Sequence, residues 1–416
     1  MTRTSPARPP ARTRARRAAL LCAALLAVTV QTTAVAPALA EGPGGPGARE
    51  CARTARPLDA QGREVLDIAR NAKDDLSLNS VELRVTVGGR EVVTDALGES
   101  MTGVPARPDM HFRAGSVAFA HIGTALLQLV EERKVRLDDT VERWLPFVPK
   151  ADRITLRMLA TNTSGLHDYV TDPAFAAELG PHPFRHWTPQ QLLAYPFSHS
   201  FWYEPGTSWS YSHANYLLLT IALEKITGTR IDRLLEERVW RPLGLRNTRN
   251  NFTPDIPEPV LHAFTSDRGL YEESTFWNPS WTTAPGAVIT TDICDLARSA
   301  RAIGAGELLS PRSYRTFVNP GTVGLGGGSA TCPETLCLPQ TEGWHFGLGV
   351  IVANTWLAQN PSFSGYAAIQ AYLPSQRLAI AVSTTKTANT PAGNTAEVVA
   401  ERIAAELAPD TPLTLS

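Results

Sequence analysis

Ser116 is the first residue whose type and position could do chemistry. The periodic apolar residues of 115–135 predict a mostly buried helix that starts near Ser116, which places Phe119 one turn later on the same face. A serine hydroxyl is a poor nucleophile until a neighbouring base takes its proton, and phenylalanine has no titratable group. Serine is also common at helix starts, so a purely structural role for Ser116 stays open.

The second candidates lie in Tyr211-Ser212-His213, just before a helix predicted over 214–227. Tyrosine has an ordinary pKa of roughly 10 and is a weak base at neutral pH when no cation lies beside it. Histidine has an ordinary pKa of roughly 6.5, so His213 could replace a missing base or acid. Its alternative role is that of a loop residue with one structural hydrogen bond.

Other titratable residues offer less for catalysis. His121 lies five residues after Ser116, about 140° round an α-helix, and should therefore point elsewhere. Lys134 and Lys150 have the pattern of solvated surface charges. His167 lies in a loop, where we interpret it as a contact residue without a catalytic role.

The elements that position these residues fall into two groups. Alternation over 80–97, with Gly88-Gly89 at its centre, predicts a β-hairpin. Further strands are predicted at 346–353, 367–373 and 378–384, and helices at 189–195, 214–227, 231–239, 291–303 and 396–407. This order predicts an α+β fold, in which helices flank an antiparallel sheet made from both chain ends. We divide the domain, 51–408, into an α/β part (51–155 and 282–408) and an α-rich part (156–281).

Aromatic residues are dense in and beside the α-rich part. They could pack its interior, which is the commoner fate, or form the apolar walls of a ligand cleft. The residues are Trp187, Phe201, Trp202, Tyr203, Trp209, Phe276, Trp277 and Trp281.

The composition is that of an ordinary globular protein, with 416 residues, 43% hydrophobic and 19% charged. A formal net charge of -1 and a pI near 6.8 provide no field that would attract nucleic acid or an anionic membrane. We therefore expect a small-molecule or peptide ligand, no nucleic acid, no stable membrane anchor and no cofactor or metal.

The first 50 residues are predicted to be a targeting segment and a leader. Arginines at 12, 14, 16 and 17 precede an apolar stretch at 18–30, and Ala36-Pro-Ala-Leu-Ala40 follows as a small-residue cleavage site. We expect a signal peptide over 1–40, cleaved after Ala40, and a Gly/Pro-rich flexible leader over 41–50. The protein is therefore predicted to be secreted, by either the Sec or the twin-arginine route.

Removal of the signal leaves four cysteines in an oxidising compartment, for which three pairings exist. The short spacing of Cys332 and Cys337 favours a local bridge, which would leave Cys51 to pair with Cys294. A metal site is a poor alternative because no Cys-x-x-Cys or His-x-His accompanies them.

Over about 60–405 the chain resembles the family of class C β-lactamases, D-Ala-D-Ala carboxypeptidases and related esterases. The matching stretches include Phe112-Arg-Ala-Gly-Ser116, Thr163-Ser-Gly-Leu166, Pro205-Gly-Thr, Tyr211-Ser212, Pro242-Leu-Gly-Leu245, Phe346-Gly-Leu-Gly349 and Gly365-Tyr366. The resemblance implies the β-lactamase/DD-peptidase fold and acyl transfer through Ser116.

Three motifs depart from the pattern that the resemblance implies. Ser-x-x-Lys reads Ser116-Val-Ala-Phe119, so the general-base lysine is missing. Tyr-x-Asn reads Tyr211-Ser-His213. The third motif, Lys or His followed by any residue and Gly, falls by counting back from Gly365-Tyr366 on Gln359-Asn-Pro361, which has neither a cation nor a glycine.

Two functions follow from these departures. The first is a secreted, catalytically impaired or non-catalytic protein that retains a ligand cleft, for a cell-wall peptide or a β-lactam-like ligand. The second is a serine hydrolase or acyltransferase that uses Ser116 with Tyr211 and His213. We favour the first, because general-base catalysis alone is worth roughly 10²- to 10⁴-fold in rate.

Overall fold

The computed structural model describes residues 51–283 and 285–415. The predicted signal peptide and leader lie outside these residues. In the described part the helices are α1 Ala60–Asp75, α2 Val117–Glu131, α3 Leu156–Ala160, α4 Pro173–Leu179, α5 Pro189–Ser198, α6 His213–Thr227, α7 Ile231–Leu235, α8 Arg241–Leu243, α9 Ile293–Gly304, α10 Pro311–Val318 and α11 Thr395–Leu407. None of the helices in these ranges is long and apolar enough to cross a membrane.

The strands of the large sheet lie near the two ends of the described chain, and five short strands lie between them. They are β1 Leu78–Val87, β2 Arg90–Met101, β3 Val104–Pro105, β4 Phe112–Arg113, β5 Arg249–Asn250, β6 Phe264–Thr265, β7 Glu272–Glu273, β8 Ile289–Thr291, β9 Trp344–Phe346, β10 Ile351–Ala353, β11 Trp356–Gln359, β12 Ser362–Phe363, β13 Tyr366–Leu373 and β14 Leu378–Lys386.

One large antiparallel sheet unites the two ends of the domain. Its strand order is β3-β2-β1-β14-β13-β11-β10-β9, and β12 also pairs with β13. At its centre β1 pairs with β14, so that Val81 lies opposite Thr384 and Val87 opposite Leu378. Helices pack against this sheet, which confirms the predicted α+β architecture.

The two faces of the sheet are covered by different helices. Thr384 bonds Thr395 at the start of α11, with 2.7 Å between their hydroxyl oxygens, so the face that carries Val81, Leu83 and Val85 is covered by α11 and α1. On the other face Arg84 donates to Cys294 at the start of α9. Because side chains alternate along a strand, Glu82 lies on that second face.

Close backbone contacts fix the position of helix α2, which begins directly after the candidate serine. A Cβ atom added at Gly123 would lie 1.9 Å from the carbonyl oxygen of Leu348, and one added at Gly349 would lie 2.2 Å from that of Phe119. Residues 347–349 form a turn here, so the single strand predicted over 346–353 is wrong and becomes β9 and β10. The turn allows the chain to lie directly against α2.

Both predicted disulfides are present. Cys51 pairs with Cys294, 243 residues away, and Cys332 pairs with Cys337. Among the described residues, the one metal-like grouping of His, Cys, Asp or Glu is Cys51, Cys294 and Asp292, and its two sulfurs are bonded to each other. The first disulfide ties the N-terminus of the domain to α9.

Glu82 is a buried acid without a partner. It is 0% exposed, and neither carboxyl oxygen accepts a hydrogen bond from a described residue. Burial, followed by the charges of Asp292 and Asp109, raises the pKa of this carboxyl well above its ordinary value. The folded protein therefore favours the protonated form, because an ionised carboxylate in an apolar layer is costly.

We expect Glu82→Gln to raise the free energy of unfolding at pH 8 by about 1–3 kcal/mol relative to the parent protein. The unfolded carboxyl ionises above a pH of about 4.5, whereas the folded one stays protonated, so the stability present at low pH is lost as the pH rises through the folded pKa. Urea unfolding at pH 5 and pH 8 tests this. Exposed Glu64→Gln serves as the control, and a gain that is equal at both pH values would contradict the explanation.

Candidate active site

Ser116 is the N-cap residue of α2, but its side chain does not cap the helix. Its hydroxyl instead lies close enough to the phenol of Tyr211 to lower the pKa of that group. The preceding Gly115 has a positive φ of 37°, and a Cβ there would lie 3.1 Å from Cβ of Pro361. The serine is thus half-buried between Tyr211 and the segment that follows β11.

Phe119 fills the space one turn along α2 from Ser116. Its side chain is 0% exposed, and its ring stacks on that of Tyr216 with 3.7 Å between centroids and 4° between planes. The ring of Tyr211 lies 6.0 Å away on a roughly parallel plane. No titratable atom is present at this position, so Ser116 receives no help from α2 in losing its proton.

Tyr211 is held as a neutral phenol. Burial raises its pKa far above the ordinary value, and the negative charge of Asp168 raises it further. The neighbouring Ser116 hydroxyl lowers the pKa of Tyr211 and is the weaker influence. Tyr211 can therefore exchange hydrogen bonds with the serine but cannot serve as a phenolate base at neutral pH.

His213 is bound by a carboxylate that the sequence analysis missed. Its Nδ1 lies 2.9 Å and 3.1 Å from the two carboxylate oxygens of Asp168, and its main-chain N–H donates to the same carboxylate at 3.1 Å. In neutral His213 the proton must then lie on Nδ1, which leaves Nε2 as an acceptor. The side chains of His213 and Asp168 are 20% and 8% exposed, respectively.

One local signal marks Asp168 in the sequence, but it does not identify the residue as a partner of His213. It follows His167 in a loop after α3 and caps the turn Tyr169–Thr171 by accepting from the main-chain N–H of Val170. A capping carboxylate of this kind indicates a structural role. Its partner His213 lies 45 residues further along the chain. Only the folded structure shows that the two meet.

The three predicted site residues lie in one cluster. The ring of His213 lies 5.2 Å from that of Tyr211, at 83° to it, and 6.3 Å from that of Phe119. In the ranges that the structure describes, however, neither ring nitrogen of His213 is hydrogen-bonded to Ser116 or Tyr211. The cluster places a candidate nucleophile, phenol and imidazole together without a continuous proton path.

The third motif is occupied by residues with structural partners. Nε2 of Gln359 donates to the carbonyl oxygen of Gly349 at 2.6 Å, and Nδ2 of Asn360 donates to Glu397 at 2.7 Å. The carbonyl oxygen of Pro361 accepts from the main-chain N–H of Ala368. Pro361 has no N–H, so this segment offers neither a cation nor that donor beside Ser116.

Comparison with known proteins identifies the family. The family model named Beta-lactamase matches residues 66–404. The chain belongs to the β-lactamase family.

The chain is 26% identical over 223 residues to the putative penicillin-binding protein PbpX of Bacillus subtilis (strain 168), covering 53% of this chain and 54% of the relative. It is 30% identical over 193 residues to the D-alanyl-D-alanine-carboxypeptidase/endopeptidase AmpH of Escherichia coli (strain K12), covering 44% and 48% respectively. The chain thus spans about half the length of these curated relatives.

Solved structures agree on the fold. The D-stereospecific amidohydrolase from Streptomyces sp. superposes with a TM-score of 0.68 at 25% identity, covering 85% of this chain and 99% of that one. The D-amino acid amidase from Ochrobactrum anthropi SV3, complexed with L-phenylalanine amide, gives a TM-score of 0.69 at 20% identity, covering 83% and 99%. The likeness to the second protein shows the fold alone.

The remaining titratable candidates of this β-lactamase-family chain are engaged elsewhere. His121 is buried, which lowers its pKa to about 3, and its ring bonds Ser299 at 2.8 Å and Trp240 at 3.2 Å. Lys134 pairs with Glu132, and Lys150 pairs with Glu204, each at 2.8 Å. They have the structural and surface roles that the sequence predicts.

His167 forms part of an aromatic stack beside the cluster. Its ring lies 3.7 Å from that of Trp202 and 4.6 Å from that of His199, with planes within 10° in both pairs. His199 in turn bonds the carboxylate of Asp172 at 2.7 Å. Burial, followed by the neighbouring His199, lowers the pKa of His167, so this ring is neutral at neutral pH.

We expect Phe119→Ala to lower the free energy of unfolding by about 3–5 kcal/mol, because a buried, stacked ring is removed and a cavity remains beside Tyr216. Chemical denaturation measures the change. Phe147→Ala, at a ring that is exposed, is the matched control and should cost less than about 1 kcal/mol. Equal losses in the two variants would show that Phe119 does not support the packing of α2 on α6.

Proposed function

We propose that this β-lactamase-family protein binds a small ligand in the cleft beside Ser116 and lacks the lysine-dependent acylation of its relatives. The observation that carries the proposal is the buried Phe119 ring, stacked on Tyr216 where the family's lysine would stand. A packed aromatic ring leaves no room for another base to approach Ser116 from α2.

The other two motifs support this proposal. Tyr211 is a neutral phenol, and the segment 359–361 brings no cation to the cleft. Loss of a general base removes roughly 10²- to 10⁴-fold in rate, and loss of anion-binding donors adds to it. The half-buried Ser116 and His213 still offer a hydroxyl and an imidazole, which are polar groups that can orient a small molecule.

A serine hydrolase or acyltransferase, of the D-Ala-D-Ala carboxypeptidase, esterase or β-lactamase type, is the second candidate. The pairing of Asp168 with Nδ1 of His213 favours it, because a carboxylate on one ring nitrogen orients the imidazole as a base. In that reaction Nε2 of His213 would take the Ser116 proton after a movement that brings the two groups together, with Tyr211 beside the serine. Such a site needs no cofactor or metal.

The relatives and the sequence support a proposal for the ligand class and the location. Curated relatives are named as penicillin-binding and D-alanyl-D-alanine-carboxypeptidase proteins, and one structural neighbour is named as a D-amino acid amidase. We therefore propose a small peptide or amino-acid derivative as the ligand. The basic and apolar N-terminus supports export through a cleaved signal peptide.

Intact-mass spectrometry separates the two candidates. The protein over 41–416, Ser116→Ala and Phe119→Lys are each incubated with a fluorophosphonate and, separately, with a reactive β-lactam. We expect no mass increase in the parent protein, because Ser116 has no effective base. An increase in Phe119→Lys alone would show that the fold is competent and that one residue removed the chemistry.

The opposite result is covalent labelling of Ser116 in the parent protein. A mass increase in the parent protein that maps to Ser116 and disappears in Ser116→Ala would overturn the non-catalytic proposal. Labelling rates of the parent, His213→Gln and His121→Gln between pH 5 and 9 would then test the second candidate. Loss of labelling in His213→Gln but not in the His121 variant would identify His213 as the base.

A further inference from the structure

A groove lies at the end of α2 that is remote from Ser116. Its volume is about 560 Å³, which is within the usual range for small-ligand sites. It is lined by the last turn of α2, the loop that follows it and one face of α10, and we call it the α2–α10 groove. Ser116 precedes α2 and Glu131 ends it, so about 20 Å of helix separates the groove from the candidate active site.

The walls of the α2–α10 groove are fixed by contacts with the rest of the fold. The side chain of Phe317 is 0% exposed and anchors α10. The carboxylate of Glu131 accepts from the main-chain N–H of Ser310 at 2.8 Å, which joins the end of α2 to the start of α10. The main-chain N–H of Arg157 donates to the carbonyl oxygen of Leu137 at 2.8 Å, which ties the loop after α2 to α3. A groove built from fixed elements needs little ordering to bind a ligand.

Arginine is the commonest charged residue in the lining of the α2–α10 groove. The charged lining residues are Glu131, Arg133, Arg136, Asp138, Arg157 and Arg312, so positive groups outnumber negative ones by two. Asp138 accepts two hydrogen bonds from Arg157, at 2.7 and 3.1 Å, and Arg136 pairs with Asp139 at 3.0 Å. Two of the four arginines therefore already have carboxylate partners.

The other two arginines, Arg133 and Arg312, have no such partner. Neither guanidinium has an ion pair or a hydrogen bond with another residue in the part of the chain that the structure describes. Arg133 lies in the loop after α2, and Arg312 lies in the first turn of α10, so two different walls contribute the unpaired charges. Each guanidinium offers five N–H donors in a planar fork, a geometry that matches phosphate oxygens.

The wall that carries Arg312 also contributes neutral polar groups. Thr316 lies four positions after Arg312 on the same face of α10, and Asn319 directly follows the helix; both line the groove. Oδ1 of Asn319 accepts from the main-chain N–H of Gly321 at 3.3 Å, which leaves Nδ2 as a donor. Hydroxyl and amide donors beside guanidinium groups are typical of sites that bind phosphate groups.

We propose that the α2–α10 groove is a second binding site, separate from the candidate active site, for an anionic ligand with two or more linked phosphate groups. A phosphate group has three strong acceptor oxygens and can bridge two guanidinium groups, which Arg133 and Arg312 supply from opposite walls. The ligand has more than one phosphate because the groove is larger than one such group requires. This inference does not depend on whether Ser116 reacts.

Isothermal titration calorimetry with four probes tests the ligand class. The protein over 41–416 is titrated at pH 7.5, without divalent cations, with tripolyphosphate, ATP, inorganic phosphate and citrate. We expect tripolyphosphate to bind at least about tenfold more tightly than phosphate or citrate, and to weaken as NaCl is raised from about 50 to about 500 mM. Tighter binding of ATP than of tripolyphosphate identifies a nucleotide as the source of the phosphate chain, and weaker binding identifies a free chain.

Two double variants assign the binding to the unpaired arginines. Arg133→Gln with Arg312→Gln should weaken tripolyphosphate binding by at least about tenfold, because two charge-assisted contacts are lost. Arg233→Gln with Arg246→Gln is the matched control, since it removes two exposed arginines that lie outside the groove. The control should change the dissociation constant by less than about twofold, because distant surface charges are screened. Circular dichroism and cooperative unfolding confirm that each variant is folded.

A third variant is expected to improve binding, which structural damage would not do. Glu131→Gln keeps an acceptor for the main-chain N–H of Ser310 and removes one negative charge from the groove. It should tighten tripolyphosphate binding by about threefold. Ser116→Ala, at the other end of α2, should leave the dissociation constant unchanged.

Several outcomes would overturn the inference. These are no binding of tripolyphosphate at low salt, equal or tighter binding of citrate, and equal losses in the two double variants. Loss of binding in Ser116→Ala would place the anion beside the serine and would exclude a separate site. The mass of Ser116 after fluorophosphonate treatment decides the proposed lack of acylation alone, so either proposal can fail without the other.

Discussion

The contact between α2 and α6 is the packing constraint on which the site depends. Phe119 and Tyr216 stack face to face at full burial, so the two helices are held in one relative position. Ser116 begins α2, and His213 begins α6. The stack therefore fixes the separation of the candidate nucleophile and the candidate base, and the residue that removes lysine chemistry is also the one that supports the geometry.

The second interaction that shapes the site is electrostatic and joins Asp168 to His213. A carboxylate with 8% exposure needs partners, and His213 supplies its ring and main-chain donors. The same bonds fix the imidazole tautomer and leave Nε2 free to accept. This interaction thus sets the orientation of His213, and the charge of Asp168 adds to the burial that keeps Tyr211 neutral.

Much of the fold could be predicted from local sequence patterns, because period and turn chemistry are local properties. The hairpin around Gly88-Gly89 and helix α2 follow from them, and cysteine spacing predicts both disulfides. The strand over 346–353 was wrong because the turn at 347–349 is set by α2 packing against it. Alternation places Glu82 and Arg84 on one face, but it cannot show that α9 covers that face.

The candidate site, like the fold, could be predicted from the sequence only in part. The sequence shows which catalytic groups are missing, since Phe119 cannot act as a base and Pro361 has no main-chain N–H. The pairing of His213 with Asp168 is not visible in the sequence, because the two residues are 45 positions apart and meet only in the folded chain. The fold is held by backbone contacts such as Gly123 against Leu348, and these contacts do not involve the side chains of Phe119 and His213. The scaffold can therefore be retained while the residue types at the candidate site change.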